Sequence, residues 1–94
     1  MSSPTVDDFV FDDANEAEMA AHSLTPYRVL QVLDDEFIVV PNRKERRATH
    51  LVIGRDHGGA FITIPIEPTN QADIWRPVTA WYSKKSEIAR LGLE

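Results

Sequence analysis

Residues 49–66 constrain the fold most, because they read as two strands joined by a tight turn. The neighbouring glycines Gly58 and Gly59 supply the positive φ angles that a hairpin loop needs. The flanking segments are rich in β-branched and aromatic residues, which favour strands. Because side chains alternate along a strand, the pattern predicts one apolar layer drawn from both strands. That layer would consist of Leu51, Ile53, Ile62, Ile64 and Ile66.

The segments around this hairpin predict further strands and short helices. Strands are expected at 37–40 and 74–81, with a short apolar run at 9–11 as an edge strand. Helices are expected at about 14–22, where Asp12 or Asp13 is the N-cap, and after Thr25-Pro26. A last helix is expected after Ser83 and ends at Gly92. Pro65 cannot donate a ladder hydrogen bond, so it predicts a bulge or an unpaired edge.

This order of elements predicts the α+β class, because sequential strands have helices gathered at both ends. We expect a small single domain with short N-terminal helices, a four-stranded, mainly antiparallel sheet and a C-terminal helix. The domain would span residues 9–94, and the polar, acidic residues 1–8 would form a flexible tail.

Composition narrows the chemistry that these 94 residues can perform. The chain has no cysteine, which excludes disulfides and thiolate metal sites or nucleophiles. It has no long apolar stretch and no secretory signal pattern, so a cytoplasmic protein without a membrane partner is expected. The net charge of −5 is uneven, since residues 1–22 carry −6 and residues 23–94 carry +1. An acidic chain argues against a dedicated nucleic-acid binder but leaves room for a local basic patch.

Three segments carry a resemblance to a known family. They are residues 11–26, residues 51–59, and residues 76–80 with the helix that follows. Taken together, they resemble the BrnT-like toxin family, small proteins with a RelE-like ribonuclease fold. The first segment, 11–26, matches the family pattern at Asp12, Asn15, His22, Thr25 and Pro26. The second is the run 51–55 followed by Gly59, and the third is the run 76–80 followed by a helix that contains Glu87. The chain departs from the family pattern at Glu18, Ser23, Trp81 and Leu91.

The resemblance implies a toxin of a toxin–antitoxin system that cleaves RNA as a metal-independent endoribonuclease, with no cofactor. Its candidate partners are RNA, an antitoxin protein encoded nearby and a second copy of the chain. The alternative is a non-catalytic protein-binding module on the same scaffold, either a degenerate toxin or an adaptor.

Cleavage of RNA without a metal requires a base, cations that stabilise the phosphorane, and an acid for the leaving oxygen. The candidate phosphate-binding arginines are Arg55 and Arg76, because a guanidinium binds two oxygens at once. Glu87 and His50 are the candidates for moving protons. The alternative readings are an ion pair of Arg76 with Glu87 or Asp73, surface charge for Glu87 and a packing role for His50.

The candidate substrate-binding residues are cationic. They are Arg43, Lys44, Arg46, Arg47 and Lys84. The first four lie in one polar loop, for which a merely solvated loop is the alternative. The aromatic residues Trp75, Trp81 and Tyr82 could stack on bases, form a partner surface or, for a tryptophan, enter the core. The three histidines share no metal-ligand spacing, so no metal site is expected.

Overall fold

The computed structural model describes residues 4–92. Its strands are β1 (Asp8–Phe9), β2 (Phe37–Pro41), β3 (His50–Arg55), β4 (Phe61–Pro68), β5 (Ile74–Pro77) and β6 (Trp81–Tyr82). Its helices are α1 (Asp13–Ala20), α2 (Pro26–Gln31) and α3 (Lys85–Ala89), and a 3-10 turn at Val32–Asp34 follows α2.

The strands form one mixed sheet in the order β1-β5-β4-β3-β2, and β6 pairs with β4 beyond the end of β5. Neighbouring strands pair antiparallel, except that β1 and β5 pair in parallel. The predicted α+β class is therefore confirmed, whereas the predicted four strands are wrong. The edge strand expected at 9–11 lies at residues 8–9, and the predicted strand at 74–81 is split into β5 and β6.

The split between β5 and β6 lies opposite Pro65. This proline has no N–H to donate, but its carbonyl accepts a hydrogen bond from the N–H of Val78 at 2.8 Å. The chain then leaves the ladder and returns where Trp81 pairs with Thr63. On its other side β4 stays in unbroken register, with Pro65 opposite Leu51. The predicted irregularity at Pro65 is thus an interrupted ladder on one side of β4.

The hairpin register overturns the predicted single apolar layer. Arg55 pairs with Phe61 across a five-residue loop, so odd-numbered residues of β3 oppose odd-numbered residues of β4. Leu51 and Ile53 consequently share a face with Pro65 and Thr63. The other face carries Val52, Ile62, Ile64 and Ile66. We call these two surfaces the groove face and the helix face, respectively.

The helix face carries the main core, because α1 and α2 pack against it. Met19, Val29 and Val32 are fully buried with the isoleucines of β4. Local caps begin both helices as predicted. Asp12 Oδ1 accepts the Asn15 N–H at 2.9 Å, and Thr25 precedes Pro26 at the start of α2.

Residues 5–8 join the edge of the sheet in the structure. Val6 is buried, and the Asp7 N–H donates to the carbonyl of Asp73 at 2.9 Å. The indole Nε1 of Trp75 donates to the carbonyl of Thr5 at 3.0 Å. Residues 1–3 and 93–94 lie outside the described residues, and the mobility expected of 1–8 stays a prediction.

The groove face is covered in part by α3. The N-cap of this helix is Lys84 rather than the predicted Ser83, whose hydroxyl lies 2.8 Å from that of Thr63. Within 4–92, no helix has the length and apolar character that crossing a bilayer requires.

Candidate functional site

A groove of about 700 Å³ opens on the groove face, between the loop 42–48 and the region of α3. Strand and connection residues form its floor, among them Leu51, Pro65, Val78 and Trp81. The loop contributes Arg43, Arg46 and Arg47 to one wall, and the α3 region contributes Lys84, Ser86, Glu87 and Arg90 to the other. Five of the nine predicted site residues therefore meet in one place. They are Arg43, Arg46, Arg47, Lys84 and Glu87.

The groove is basic although the chain is acidic. Among the described residues, five cationic side chains and one carboxylate line it, whereas the net charge of the whole chain is −5. Arg47 is paired with Glu67, at 3.1 Å between Nη2 and Oε2. The other four cationic side chains form no ion pair with another residue of 4–92. They are Arg43, Arg46, Lys84 and Arg90. These four charges are available to an anionic ligand.

A chain of ion pairs runs from the groove to the start of α1. Glu67 links Arg47 to Arg76, whose Nη1 donates to Glu67 Oε2 at 2.8 Å. Arg76 also donates to both carboxylate oxygens of Asp12, at 2.8 and 3.0 Å. Its side chain is only 18% exposed and does not line the groove. Arg76 is thus neutralised by two carboxylates, but these are Asp12 and Glu67 rather than the expected Glu87 or Asp73.

These contacts shift the pKa values of both partners. The hydrogen bond from Arg76, followed by the Asn15 N–H, lowers the pKa of Asp12 to about 2. The hydrogen bond to Asp12 raises the pKa of Arg76, against an opposing effect of burial. Both groups are therefore charged at neutral pH.

Glu87 is held by several donors. Its Oε1 accepts from Thr63 Oγ1 at 3.1 Å, Trp81 Nε1 at 3.0 Å and the Lys84 N–H at 2.8 Å. Its Oε2 accepts a longer bond from Trp81 Nε1, at 3.3 Å. Only Oε2 keeps capacity to accept from a ligand, while Oε1 fixes the indole and the first turn of α3.

The other predicted residues do not line the groove. His50 lies on the helix face, where its ring meets Trp75 edge-on at 5.3 Å between centroids and its Nδ1 is 2.9 Å from Thr49 Oγ1. Arg55 lies over the ring of Phe61, 5.6 Å from its centroid, which is a cation–π distance. Lys44 is an exposed loop residue outside the groove lining.

Arg90, Ser86 and Thr79 line the groove without having been predicted to do so. Helical spacing is the signal that could have found two of them, because residues 86, 87 and 90 share a face of a helix. Thr79 Oγ1 is buried and has no hydrogen-bond partner within residues 4–92. Buried hydroxyls nearly always have a partner, so Thr79 Oγ1 departs from the usual pattern.

The chemistry of the groove is therefore that of an anion site. Among residues 4–92, no group of three or more His, Asp and Glu side chains could hold a metal ion. The groove instead offers guanidinium, ammonium and hydroxyl donors above an apolar and aromatic floor. Comparisons with protein-family models, curated proteins and solved structures gave no match.

Proposed function

We propose that the groove binds RNA and that the protein acts there as a metal-independent endoribonuclease, a toxin of the BrnT-like kind. One observation carries the proposal. Residues 4–92 place five cationic side chains around one groove, on a chain whose net charge is −5. RNA is a polyanion, and each Lys or Arg that neutralises a phosphate releases counterions and adds affinity. Arginine suits this role because its planar fork binds two phosphate oxygens.

The proposed reaction is attack of a ribose 2′-oxygen on the adjacent phosphorus. The bond from phosphorus to the 5′-oxygen breaks, which leaves a 2′,3′-cyclic phosphate and a free 5′-hydroxyl. Glu87 Oε2 accepts the 2′-hydroxyl proton, and Lys84 donates a proton to the leaving 5′-oxygen. The arginines of the groove stabilise the negative charge that grows on the phosphorane.

Arg76 supports this site indirectly in the proposal. It holds Glu67 at 2.8 Å, and Glu67 in turn orients Arg47 at the groove wall. Direct contact of Arg76 with phosphate, and the catalytic roles of His50 and Arg55, stay predictions from the sequence.

A non-catalytic binding module is the second candidate, and a specific observation favours it. Two of the four groups expected to perform the chemistry, Arg76 and Glu87, already have partners within the protein. A module that only binds requires the groove and no free proton-transfer group. Binding and cleavage must therefore be measured separately.

Binding is tested with a labelled RNA over a range of salt concentrations. Arg46→Ala should weaken binding and reduce the slope of log affinity against log salt by about 0.7, the value for one phosphate contact on a single strand. Lys85→Ala is the matched control, because it removes the same charge from an exposed residue that does not line the groove. An equal loss in both variants would show that net charge, rather than this groove, governs binding.

Cleavage is tested with purified protein and total RNA in the presence of a chelator. Wild type should release fragments with 2′,3′-cyclic phosphate ends, and Glu87→Gln should cut on the order of a hundredfold more slowly or worse. Glu87→Gln should bind RNA at least as tightly as wild type, because it removes the only carboxylate that residues 4–92 contribute to the groove lining. Binding without cleavage by wild type would favour the second candidate. No binding at all would refute the RNA proposal.

A further inference from the structure

We infer that the groove takes single-stranded RNA and that one base of it stacks on the indole of Trp81. This inference rests on the proposed RNA-binding function and adds which form of RNA is bound. Trp81 lines the groove between cationic residues of the loop and of the α3 region. An aromatic floor with cations on both sides is the arrangement that recognises a nucleotide strand by stacking and phosphate contacts together.

The indole is held in place before any ligand arrives. Its Nε1 donates to both carboxylate oxygens of Glu87, at 3.0 and 3.3 Å. Glu87 is itself fixed by Thr63 Oγ1 at 3.1 Å and by the Lys84 N–H at 2.8 Å. The ring of His22 makes an edge contact with the indole, at 6.4 Å between centroids. A side chain fixed in this way loses little conformational entropy on binding, which favours its use as a platform.

The preference for single-stranded RNA follows from which faces of the bases are exposed in each form of RNA. In a duplex each base is covered by its neighbours, so a protein meets phosphates, sugars and base edges. In a single strand the bases can splay apart and lie on an aromatic ring. Duplex RNA could therefore contact Arg43, Arg46 and Arg90 through phosphates, but it could not cover the face of Trp81. Single-stranded RNA gains both kinds of contact.

The two tryptophans allow this contact to be observed directly. Trp75 is 7% exposed, lies on the helix face and has its Nε1 bonded to Thr5. Its fluorescence is expected to be a constant background. Trp81 is the tryptophan that lines the groove, so a stacked base should quench its emission. Quenching therefore reports contact with the groove floor.

The first measurement titrates wild type with a single-stranded RNA homopolymer, the matching duplex and inorganic polyphosphate. The single strand should quench the fluorescence on binding. The duplex should bind more weakly, and polyphosphate should bind to the cations without quenching, because it has no bases. Equal affinity for single strand and duplex, with no quenching by either, would overturn the inference and leave the proposed RNA binding intact.

The second measurement compares Trp81→Leu with Trp81→Phe. Leucine removes the aromatic plane and should weaken single-strand binding between about fivefold and a hundredfold. Phenylalanine keeps a plane and loses only the bond to Glu87, so its loss should stay within about threefold. Polyphosphate affinity should be unchanged in both variants.

Thermal unfolding of each variant shows whether the comparison reports on folded protein. If Trp81→Leu does not fold, the quenching of wild type and the affinity of Trp81→Phe still decide the inference. Equal affinity of folded Trp81→Leu and of wild type for single-stranded RNA would refute the inference. If wild type binds none of the three ligands, the proposed function fails as well, so the two failures are distinguishable.

Discussion

Arg76 and Asp12 lie 64 positions apart and are joined at two points, with Nε 2.8 Å from Oδ2 and Nη2 3.0 Å from Oδ1. The same Asp12 carboxylate caps α1 by accepting the Asn15 N–H at 2.9 Å. The side-chain amide of Asn15 then donates to the carbonyl of Pro77 at 3.0 Å. One carboxylate thus determines both where α1 begins and how that helix is attached to β5.

Asp12 should make stability depend on pH in the acid range. Its pKa in the folded protein is about 2, against 3.8 for the free group, so its stabilisation is complete above the higher value. This stabilisation is lost as the pH falls through about 2, where the folded carboxylate is protonated. Asp12→Asn keeps a capping oxygen and removes the charge. Its urea midpoint should lie below that of wild type at pH 7, and the difference should close between about pH 4 and pH 2.

Asp13→Asn is the matched control for that series. Asp13 is the next residue and forms no ion pair within the described residues. The urea midpoint of Asp13→Asn should differ little from that of wild type at pH 7. If the difference in urea midpoint between Asp12→Asn and wild type stays constant down to pH 2, the assigned ion pair is contradicted.

Arg76 should matter for stability whatever its role in catalysis. Arg76→Ala leaves Asp12 and Glu67 without their shared cation, and Arg76→Lys restores the charge without the fork that binds two oxygens. The melting temperature should therefore fall in the order wild type, Lys variant, Ala variant. Arg43→Ala, at the groove wall, should melt close to wild type. Equal melting of Arg76→Ala and wild type would show that the chain of ion pairs contributes nothing.

Gly54 should not tolerate a side chain. A Cβ there would lie 2.8 Å from Val32 Cγ1, 2.9 Å from Phe37 Cβ and 3.2 Å from the Glu36 carbonyl oxygen. Gly54→Ala should cost about 1–3 kcal/mol, the usual effect of overpacking. Gly58→Ala is the control. Gly58, unlike Gly59, does not have the positive φ expected from the sequence, and its Cβ would meet Asp56 Oδ1 only at 3.5 Å, an ordinary contact. Chemical denaturation of both variants measures the difference, and equal stability would refute the assigned packing.

Ile53 should be a stabilising residue of the groove face. It is fully buried although it lies on the face opposite the main core. Ile53→Ala should cost about 2–5 kcal/mol through lost burial and the cavity that remains, whereas Ile53→Val should cost about 0.5–1.5 kcal/mol. A denaturation midpoint for the alanine variant equal to that of wild type would mean that this face is not packed in solution.

Local signals in the sequence predicted the features that depend on neighbouring residues. The cap at Asp12, the start of α2 at Thr25-Pro26 and the hairpin all arise within a few positions. These local signals did not predict the register of the hairpin, because the register depends on whether the loop holds four or five residues. The break between β5 and β6 was missed for a related reason, since its cause, Pro65, lies on a different strand.

The candidate site was likewise predicted only in part. The loop arginines and Glu87 were predicted from local charge and from the family resemblance, and the groove brings most of them together. The surroundings of Arg76 could not be predicted, because its two carboxylate partners come from the start of α1 and from β4. Ion pairs between distant segments depend on the fold and leave no periodic trace in the sequence.

The parallel pairing of β1 with β5 determines which edge of the sheet would associate with other molecules if it were exposed. Residues 7–10 occupy the outer hydrogen-bonding edge of β5, and Thr5 satisfies the indole of Trp75. Removing the first ten residues would leave that backbone edge bare beside an apolar surface, which is a template for a strand from another molecule. A shortened chain should therefore self-associate in proportion to its concentration. Affinity tags and fusion partners are then better joined ahead of an intact N-terminal segment than substituted for it.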